Sequence, residues 1–368
     1  MHPDLLHLIS LSRVPQVGCV HARILLHHFG SAEAIFNSSQ QSLEEIEGIG
    51  KIRARSIKSF RDFGESEKEI SFLQRYGIRT LTLDDPDYPQ RLLSAYDAPV
   101  LFFYKGNAGL NPLRCISIVG TRRNTEYGKQ ITEKLIHDLS SHDVLIVSGL
   151  AFGIDAIAHK YALKQGMNTI AVLAHGLASL YPPEHNQLSK QIIKQGGLLT
   201  EYISHVKAEK HFFPIRNRIV AAISDCTIVV ETAVKGGSMI TADLANGYNR
   251  EVFAFPGRTT DLKSAGCHWL IRNNQAVLLE NAKDLVKIMG WEDKPLVIQK
   301  AQPELFIPLT EVEQRIMDIL KEREQMHIDV INATTGFPNS RNAGALLELE
   351  MKDLICSMPG RIYRLKQV

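Results

Sequence analysis

The chain has 368 residues, 44% of them hydrophobic and 22% charged, with 42 Lys and Arg against 40 Asp and Glu. That length is long for one hydrophobic core and gives an expectation of about two or three domains, while the composition excludes wholesale disorder. No apolar run approaches the length of a membrane span and no charged segment followed by an apolar stretch opens the chain, so a cytoplasmic protein is expected.

Residues 1–80 contain an internal repeat. Val14-Pro-Gln-Val-Gly-Cys-Val-His-Ala-Arg23 matches Ile46-Glu-Gly-Ile-Gly-Lys-Ile-Arg-Ala-Arg55 at a spacing of 32 residues. The pattern predicts a helical domain built on paired helix-hairpin-helix units. In the second unit Gly48 and Gly50 frame a turn whose N–H groups suit a phosphate, with Lys51, Arg53, Arg55 and Lys58 nearby; the first unit has Gln16 in place of Gly48. The segment is close to neutral, which leaves DNA binding and a protein-contact role equally open.

An extended connector follows through Asp85-Pro-Asp-Tyr-Pro89, with a strand at 100–104 and a boundary near Gly106 to Pro112. From Arg114 onward, apolar β-branched runs alternate with amphipathic helices. The predicted strands are Ile116–Val119, Val144–Val147, Thr169–Leu173, Leu198–Thr200, Thr227–Val230, Val252–Phe255 and Ala276–Leu278. Continuous apolar strands separated by helices imply an α/β domain over 81–290, a doubly wound and mostly parallel sheet covered on both faces. Residues 291–308 read as a linker. Residues 309–368 read as helices followed by a strand pair, the order of a winged-helix module. The positive charge sits in the middle: residues 112–290 hold 20 basic and 15 acidic side chains, against 12 and 13 in 1–106 and 8 and 10 in 304–368. An anionic partner is therefore expected at the α/β domain.

In such a sheet, ligands bind where the loops leave the carboxyl ends of the strands. Those loops are Gly120-Thr-Arg-Arg123, Ser148-Gly-Leu-Ala-Phe-Gly-Ile-Asp155, His175-Gly176, the segment from Lys207 to Arg218, and Glu231-Thr-Ala-Val-Lys-Gly-Gly-Ser-Met-Ile-Thr241. Glycines and hydroxyls at helix N-termini suit phosphates. The stretch Lys210-His-Phe-Phe-Pro-Ile-Arg-Asn-Arg218 adds cations, an amide and two adjacent rings. Pro214 places the helix start there and puts Phe213 in extended chain, so Phe212 and Phe213 are expected to point opposite ways, one inward and one free to stack on a base. Lys210, Arg216 and Arg218 then suit phosphates, which describes a single-stranded nucleic acid. The alternatives are a buried aromatic pair, glycines 149 and 153 that serve helix–sheet packing, and Asp155 as a helix cap.

The five cysteines are scattered without zinc spacing, and His159 and His175 read as structural, so no metal is expected. No Gly-x-Gly-x-x-Gly follows the first strand and no Walker motif is present, so no cofactor is expected. With no convincing nucleophile and base, the chain is read as a binding protein and not an enzyme. A nucleotide phosphoribohydrolase is the alternative, because Gly236-Gly-Ser-Met-Ile-Thr241 distantly matches the Gly-Gly-x-Gly-Thr loop of that Rossmann-like group; Met239 departs from it, and Glu231 or Glu201 would be the catalytic carboxylate.

Ile118-Val-Gly-Thr-Arg122, Ser148–Asp155 with Ala158-His159, Tyr181-Pro182, Phe213-Pro-Ile-Arg-Asn-Arg218, Gly237-Ser-Met-Ile-Thr241 and Phe255-Pro-Gly257 occur in an order that resembles the DprA (Smf) family of bacterial DNA-processing proteins. The resemblance runs from about Leu83 to Leu285 and implies an extended Rossmann-like core that dimerises, flanked by an N-terminal helical, SAM-like domain and a C-terminal winged helix. It further implies a recombination mediator that binds single-stranded DNA and loads RecA recombinase during natural transformation. By motif, Arg122 and Lys210 become phosphate contacts and Phe213 the base-stacking residue. Gly120, Thr121, Ser148, Gly149, Asn217, Gly237, Ser238 and Thr241 join the DNA-binding set, as do Arg216 and Arg218, one of which has the alternative of bracing the loop through Glu201 or Glu231. Three places depart from the family pattern. Residues 203–209 lack the expected Gly and Pro, Phe152 stands where arginine is common, and the recognition helix near 338–352 has only Arg341 and Lys352 as cations against Glu348 and Glu350. That last balance predicts protein contact and not DNA for the winged helix.

Overall fold

The structure, a computed structural model, describes residues 3–292, 309–323, 325–358 and 361–366. The expected linker over 291–308 lies outside the described residues apart from its first two positions. The chain divides into two compact units, Met1–Trp291 and Glu292–Val368.

The first unit begins with six helices, α1 (Leu5–Arg13), α2 (Cys19–Phe29), α3 (Ala32–Asn37), α4 (Gln40–Glu44), α5 (Gly50–Ser59) and α6 (Phe63–Tyr76). Gln16 and Gly48, the paired turn positions of the repeat, both have positive φ, at 65° and 86°. The first turn thus takes the left-handed conformation without a glycine. Arg53 ties the two turns together by donating to the carbonyls of Gln16 and Gly48, each at 3.2 Å, and Lys58 donates to those of Phe36 and Ser38, each at 2.6 Å. Two of the four cations beside the second turn are therefore engaged within the repeat. Leu5, Ile9, Leu25, Ile35, Leu43, Ile49 and Ile57 form one buried cluster with Leu101 and Phe103, so the helices share a core with the sheet.

The strands are β1 (Arg79–Thr82), β2 (Leu101–Gly106), β3 (Arg114–Val119), β4 (Val144–Ser148), β5 (Thr169–Val172), β6 (Gly197–Thr200), β7 (Cys226–Val229), β8 (Glu251–Ala254) and β9 (Val277–Leu278). They make one sheet in the order β1-β2-β6-β5-β4-β3-β7-β8-β9. β1 and β2 pair antiparallel, as do β2 and β6; every other pair is parallel. Packed around the sheet are α7 (Glu126–Leu139), α8 (Ile154–Lys164), α9 (Asn186–Gln195), α10 (Phe212–Ala222), α11 (Gly237–Gly247), α12 (Ala265–Arg272) and α13 (Ala282–Ile288). Alternation along β3 sends Ile116 and Ile118 into a layer with Ile136 of α7, Ala158 of α8 and Leu285 of α13. Cys115 and Val119 go to the opposite layer, with Ile219 of α10, Ala245 of α11 and Leu270 of α12. Central strands buried on both faces explain the unbroken apolar runs. β3 lies between β4 and β7, where the strand order reverses, and this opens a crevice at the carboxyl ends of β3 and β7.

The second unit holds α14 (Glu311–Glu322), β10 (Met326–His327), α15 (Ile328–Thr335), α16 (Asn339–Met351), β11 (Ile355–Met358) and β12 (Ile362–Leu365). Its antiparallel sheet runs β10-β12-β11, which completes a winged helix. A capping box between Thr310 and Glu313 starts α14. Glu313 also accepts a 2.7 Å ion pair from Lys352, so one of the two cations expected on the recognition helix is already paired, while Leu347 and Met351 are exposed there. No helix of the described residues is long and apolar enough to cross a membrane.

Candidate nucleic-acid interface

The crevice between β3 and β7 opens into a cavity of about 440 Å³, within the range of small-ligand sites. Its walls come from the loops after β3 and β7, the start of α10 and the start of α11.

The loop after β3 is clamped at Thr121, whose N–H donates to the Glu231 carbonyl at 2.7 Å and whose own carbonyl accepts from Ile154 at 3.3 Å. The Thr121 amide is therefore spent on the fold. What the loop offers a ligand is the exposed side chain of Arg122. The clamp explains Gly153: its φ is +78°, and a Cβ there would strike the carbonyl of Thr121 and the backbone of Arg122.

α10 begins at Phe212, two residues before Pro214, which corrects the extended conformation expected of Phe213. Pro214 instead occupies the first turn, where an N–H would lack an intrahelical partner anyway. The two rings consequently diverge by one helical step. Phe212 packs on Tyr202 with centroids 4.7 Å apart, while the half-buried Phe213 ring lines the cavity with Tyr181 edge-on at 5.7 Å. The Arg122 guanidinium sits 5.2 Å from the Phe213 centroid, so a cation is held beside the ring that a base would meet. Lys210, exposed, stands on the rim.

α11 starts directly after its N-cap Gly236, and the buried Ser238 hydroxyl in its first turn has no hydrogen-bond partner among the described residues. The positive end of an eleven-residue helix, whose N-cap glycine offers no side-chain cap, and an unused hydroxyl make this wall an anion seat. Gly237 and Thr241 flank it, and Asn217 joins it from α10, its amide 3.4 Å from the Gly237 carbonyl.

Ten of the thirteen residues named from sequence thus line one cavity: Gly120, Thr121, Arg122, Lys210, Phe213, Arg216, Asn217, Gly237, Ser238 and Thr241. Ser148, Gly149 and Arg218 do not. The Ser148 hydroxyl is buried and donates to the Ile118 carbonyl at 2.6 Å, and the Gly149 carbonyl accepts from Arg216 at 2.5 Å. Arg218 points away and pairs with Glu201, donating also to the Asp97 carbonyl. Arg216 is 3% exposed and forms the floor of the cavity, where it donates to Gly149 and Val172. Burial lowers its pKa to about 10, which still leaves it charged at neutral pH in the cavity that the anion seat shares. Asp155 faces it, with a carboxyl pKa raised by burial and pulled back by the Arg216 charge.

Tyr181 also lines the cavity, outside the DNA-binding set expected from sequence, although the Tyr181-Pro182 pair is part of the motif order read there. Its N–H donates to His175 Nε2 at 3.2 Å, and His175 Nδ1 donates to the Gly176 carbonyl at 2.8 Å, so this histidine is a neutral loop brace. Phe152, 41% exposed, packs edge-on against His185 at 5.0 Å and does not line the cavity. Glu231 and Glu201, the carboxylates a phosphoribohydrolase would need, are both engaged elsewhere, Glu231 with the Thr125 N–H at 2.9 Å and its hydroxyl, Glu201 with Arg218. Among the described residues, side chains gather at metal-binding distances at Asp4, His7 and Glu33, but Asp4 already caps α3 by accepting the N–H of Ala32 and Glu33.

His159, on α8, is wholly buried and bonded through Nδ1 to the Thr169 hydroxyl at 2.7 Å. Burial first, then the neighbouring charges of His185 and Arg216, lower its pKa from 6.5 to about 3. The unfolded chain binds this proton more readily than the native one, so the stability held above pH 6.5 is lost as pH falls toward 3. Urea unfolding is expected to show a deficit of about 2 kcal/mol at about pH 5 relative to neutral pH, and His159→Gln should flatten that slope.

The profile of the DNA recombination-mediator protein A family matches residues 79–290, a helix-hairpin-helix motif matches 8–68, and a DprA winged helix domain matches 300–361. Protein Smf of Synechocystis sp. is 33% identical over 387 aligned positions that cover 97% of both chains. DNA processing protein A of Streptococcus pneumoniae superposes with a TM-score of 0.68 at 32% identity, over 78% of this chain and 98% of the other. DNA processing protein A of Helicobacter pylori, described for its single-stranded DNA binding mode, gives 0.53 at 31% identity over 58% and 96%. On this match, over more than half its length and in three ordered segments, the chain belongs to the DNA recombination-mediator protein A family, the DprA or Smf proteins.

Proposed function

We propose that this protein binds single-stranded DNA in the β3–β7 crevice and delivers it to RecA recombinase during the recombination of incoming DNA, acting in the cytoplasm as a homodimer and without catalysing a reaction. The observation that carries this reading is the convergence of an anion seat at α11 with a cation-flanked aromatic ring at Phe213 inside one cavity. A strand of unpaired nucleotides presents a phosphate and a flat base in alternation, and this wall offers a partner for each. The single-stranded DNA binding mode described for the Helicobacter pylori relative supports the choice of single-stranded DNA, and membership of a recombination-mediator family supports delivery to a recombinase. The exposed Val277 and Leu278 on β9, the edge strand, support association of two copies.

Lys210→Ala tests the electrostatic half of the reading. An exposed cation on the rim contributes by releasing a counterion, so its loss should weaken binding of every sequence alike. The slope of log K against log salt should fall by about 0.7, the share of one single-strand phosphate. An unchanged slope in a salt titration would remove Lys210 from the contact.

A further inference from the structure

Lys210 and Tyr181 stand on loops that need holding, and the holding group comes from the helical region. The segment from 201 to 211, between β6 and α10, has no helix or strand of its own. Near its middle Ser204 is 2% exposed and Glu69 of α6, 135 residues away in the chain, is 3% exposed. The Ser204 N–H donates to both carboxylate oxygens of Glu69 at 3.0 Å, and its hydroxyl donates to Oε2. One turn along α6, the Phe72 ring packs on His205 at 5.7 Å. On its other side the segment is stitched to the loop that carries Tyr181: Ala178 donates to the Ser204 carbonyl at 3.0 Å, and Gly176 to the Val206 carbonyl at 2.9 Å.

We propose that Glu69 is a positioning residue for single-stranded DNA binding: through Ser204 the N-terminal helical region fixes the loop pair that presents Lys210 and Tyr181. This rests on the reading that the β3–β7 crevice binds single-stranded DNA. A buried carboxylate is tolerated only when its oxygens are satisfied, and here the loop's own N–H and O–H satisfy them. Within 203–209 the Val206 N–H donates to the Ile203 carbonyl at 3.1 Å, a single turn in a stretch that contains neither glycine nor proline and forms no regular element. The carboxylate clamp supplies from outside the order that a turn residue would supply locally. A loop ordered before binding does not lose that freedom on binding, so affinity depends on a residue that never touches DNA.

Glu69→Gln and Ser204→Ala in the full chain test this, with fluorescence anisotropy on an oligo-dT and hydrogen exchange read peptide by peptide. In the glutamine variant an NH₂ donor replaces one acceptor, so it opposes the Ser204 N–H without changing side-chain size. Each variant should bind about fivefold to tenfold more weakly with the salt slope of the parent, because Lys210 is still present. Exchange should quicken over 203–211 while β3 to β8 keep their protection. Parental affinity and parental exchange in both variants would overturn the proposal, as would weaker binding with no local change in exchange. Should one variant fail to fold, the other decides. If the parent itself does not bind the oligonucleotide, the reading of the crevice fails first, and quickened exchange over 203–211 would then show the clamp without a DNA role.

Discussion

Phe213→Ala is expected to weaken single-stranded DNA binding by about 1–3 kcal/mol, a loss of roughly fivefold to more than a hundredfold, with little change in salt slope. The ring supplies a flat, half-buried surface in the cavity wall, and its removal takes away stacking without taking away charge. Arg122 adds a second consequence. Its guanidinium is stationed 5.2 Å from the ring centroid, so without the ring that cation loses its seat and the salt slope should soften slightly at most. Phe213→Tyr preserves the aromatic face and should recover most of the affinity. Affinity of the alanine variant equal to that of the parent, measured by anisotropy on oligo-dT, would show that no base stacks there.

The largest stability effect belongs to Arg218→Ala. Arg218 and Glu201 have side chains only 10% and 15% exposed and pair directly, and Arg218 also reaches Asp97, whose carboxylate accepts the Tyr248 hydroxyl at 2.8 and 2.9 Å. Glu201 already has one buried oxygen without a partner among the described residues. Removing its cation strands a buried carboxylate, which typically costs about 3–5 kcal/mol. Burial raises the Glu201 pKa and the Arg218 charge lowers it, so in the variant the carboxyl moves up further. With a folded pKa above the unfolded one, the penalty is largest at high pH and shrinks as pH falls and the group takes a proton. Chemical denaturation at about pH 8 and about pH 5 should therefore show a smaller deficit at the lower pH. A variant as stable as the parent but with a shallower salt slope would return Arg218 to the phosphate contacts.

That distinction marks where sequence reading reaches its limit. Strands β3 to β8 declare themselves because a parallel sheet buried on both faces needs unbroken β-branched runs. β1 was not anticipated: Arg79–Thr82 is short, partly exposed and antiparallel at the edge, so it has no such run. The start of α10 was placed late because a proline biases its predecessor toward extended chain, yet a first helical turn tolerates both residues. Arg216 carried a usable signal. It stands in phase with Ile219 and Val220 of α10 and with Ile223 just past its end, all buried, so helical spacing alone puts it inward. Arg218 carried no such signal, because its partner Glu201 lies in a loop whose path the sequence leaves open. The anion seat at α11 could be read from Gly236, Gly237 and Ser238 after an apolar strand, since glycine and serine suit a helix start. The Glu69–Ser204 clamp could not, because nothing local relates residues 135 positions apart.

The most direct test of the account is a salt titration of fluorescence anisotropy with an oligo-dT and a duplex of the same length. A cavity that seats one flat base against Phe213 beside an anion seat accepts unpaired nucleotides and rejects stacked pairs, so tighter binding of the single strand at every salt concentration is predicted. Equal affinity for the two, with parallel salt dependence, would mean that only charge is recognised and would contradict the assignment of the crevice.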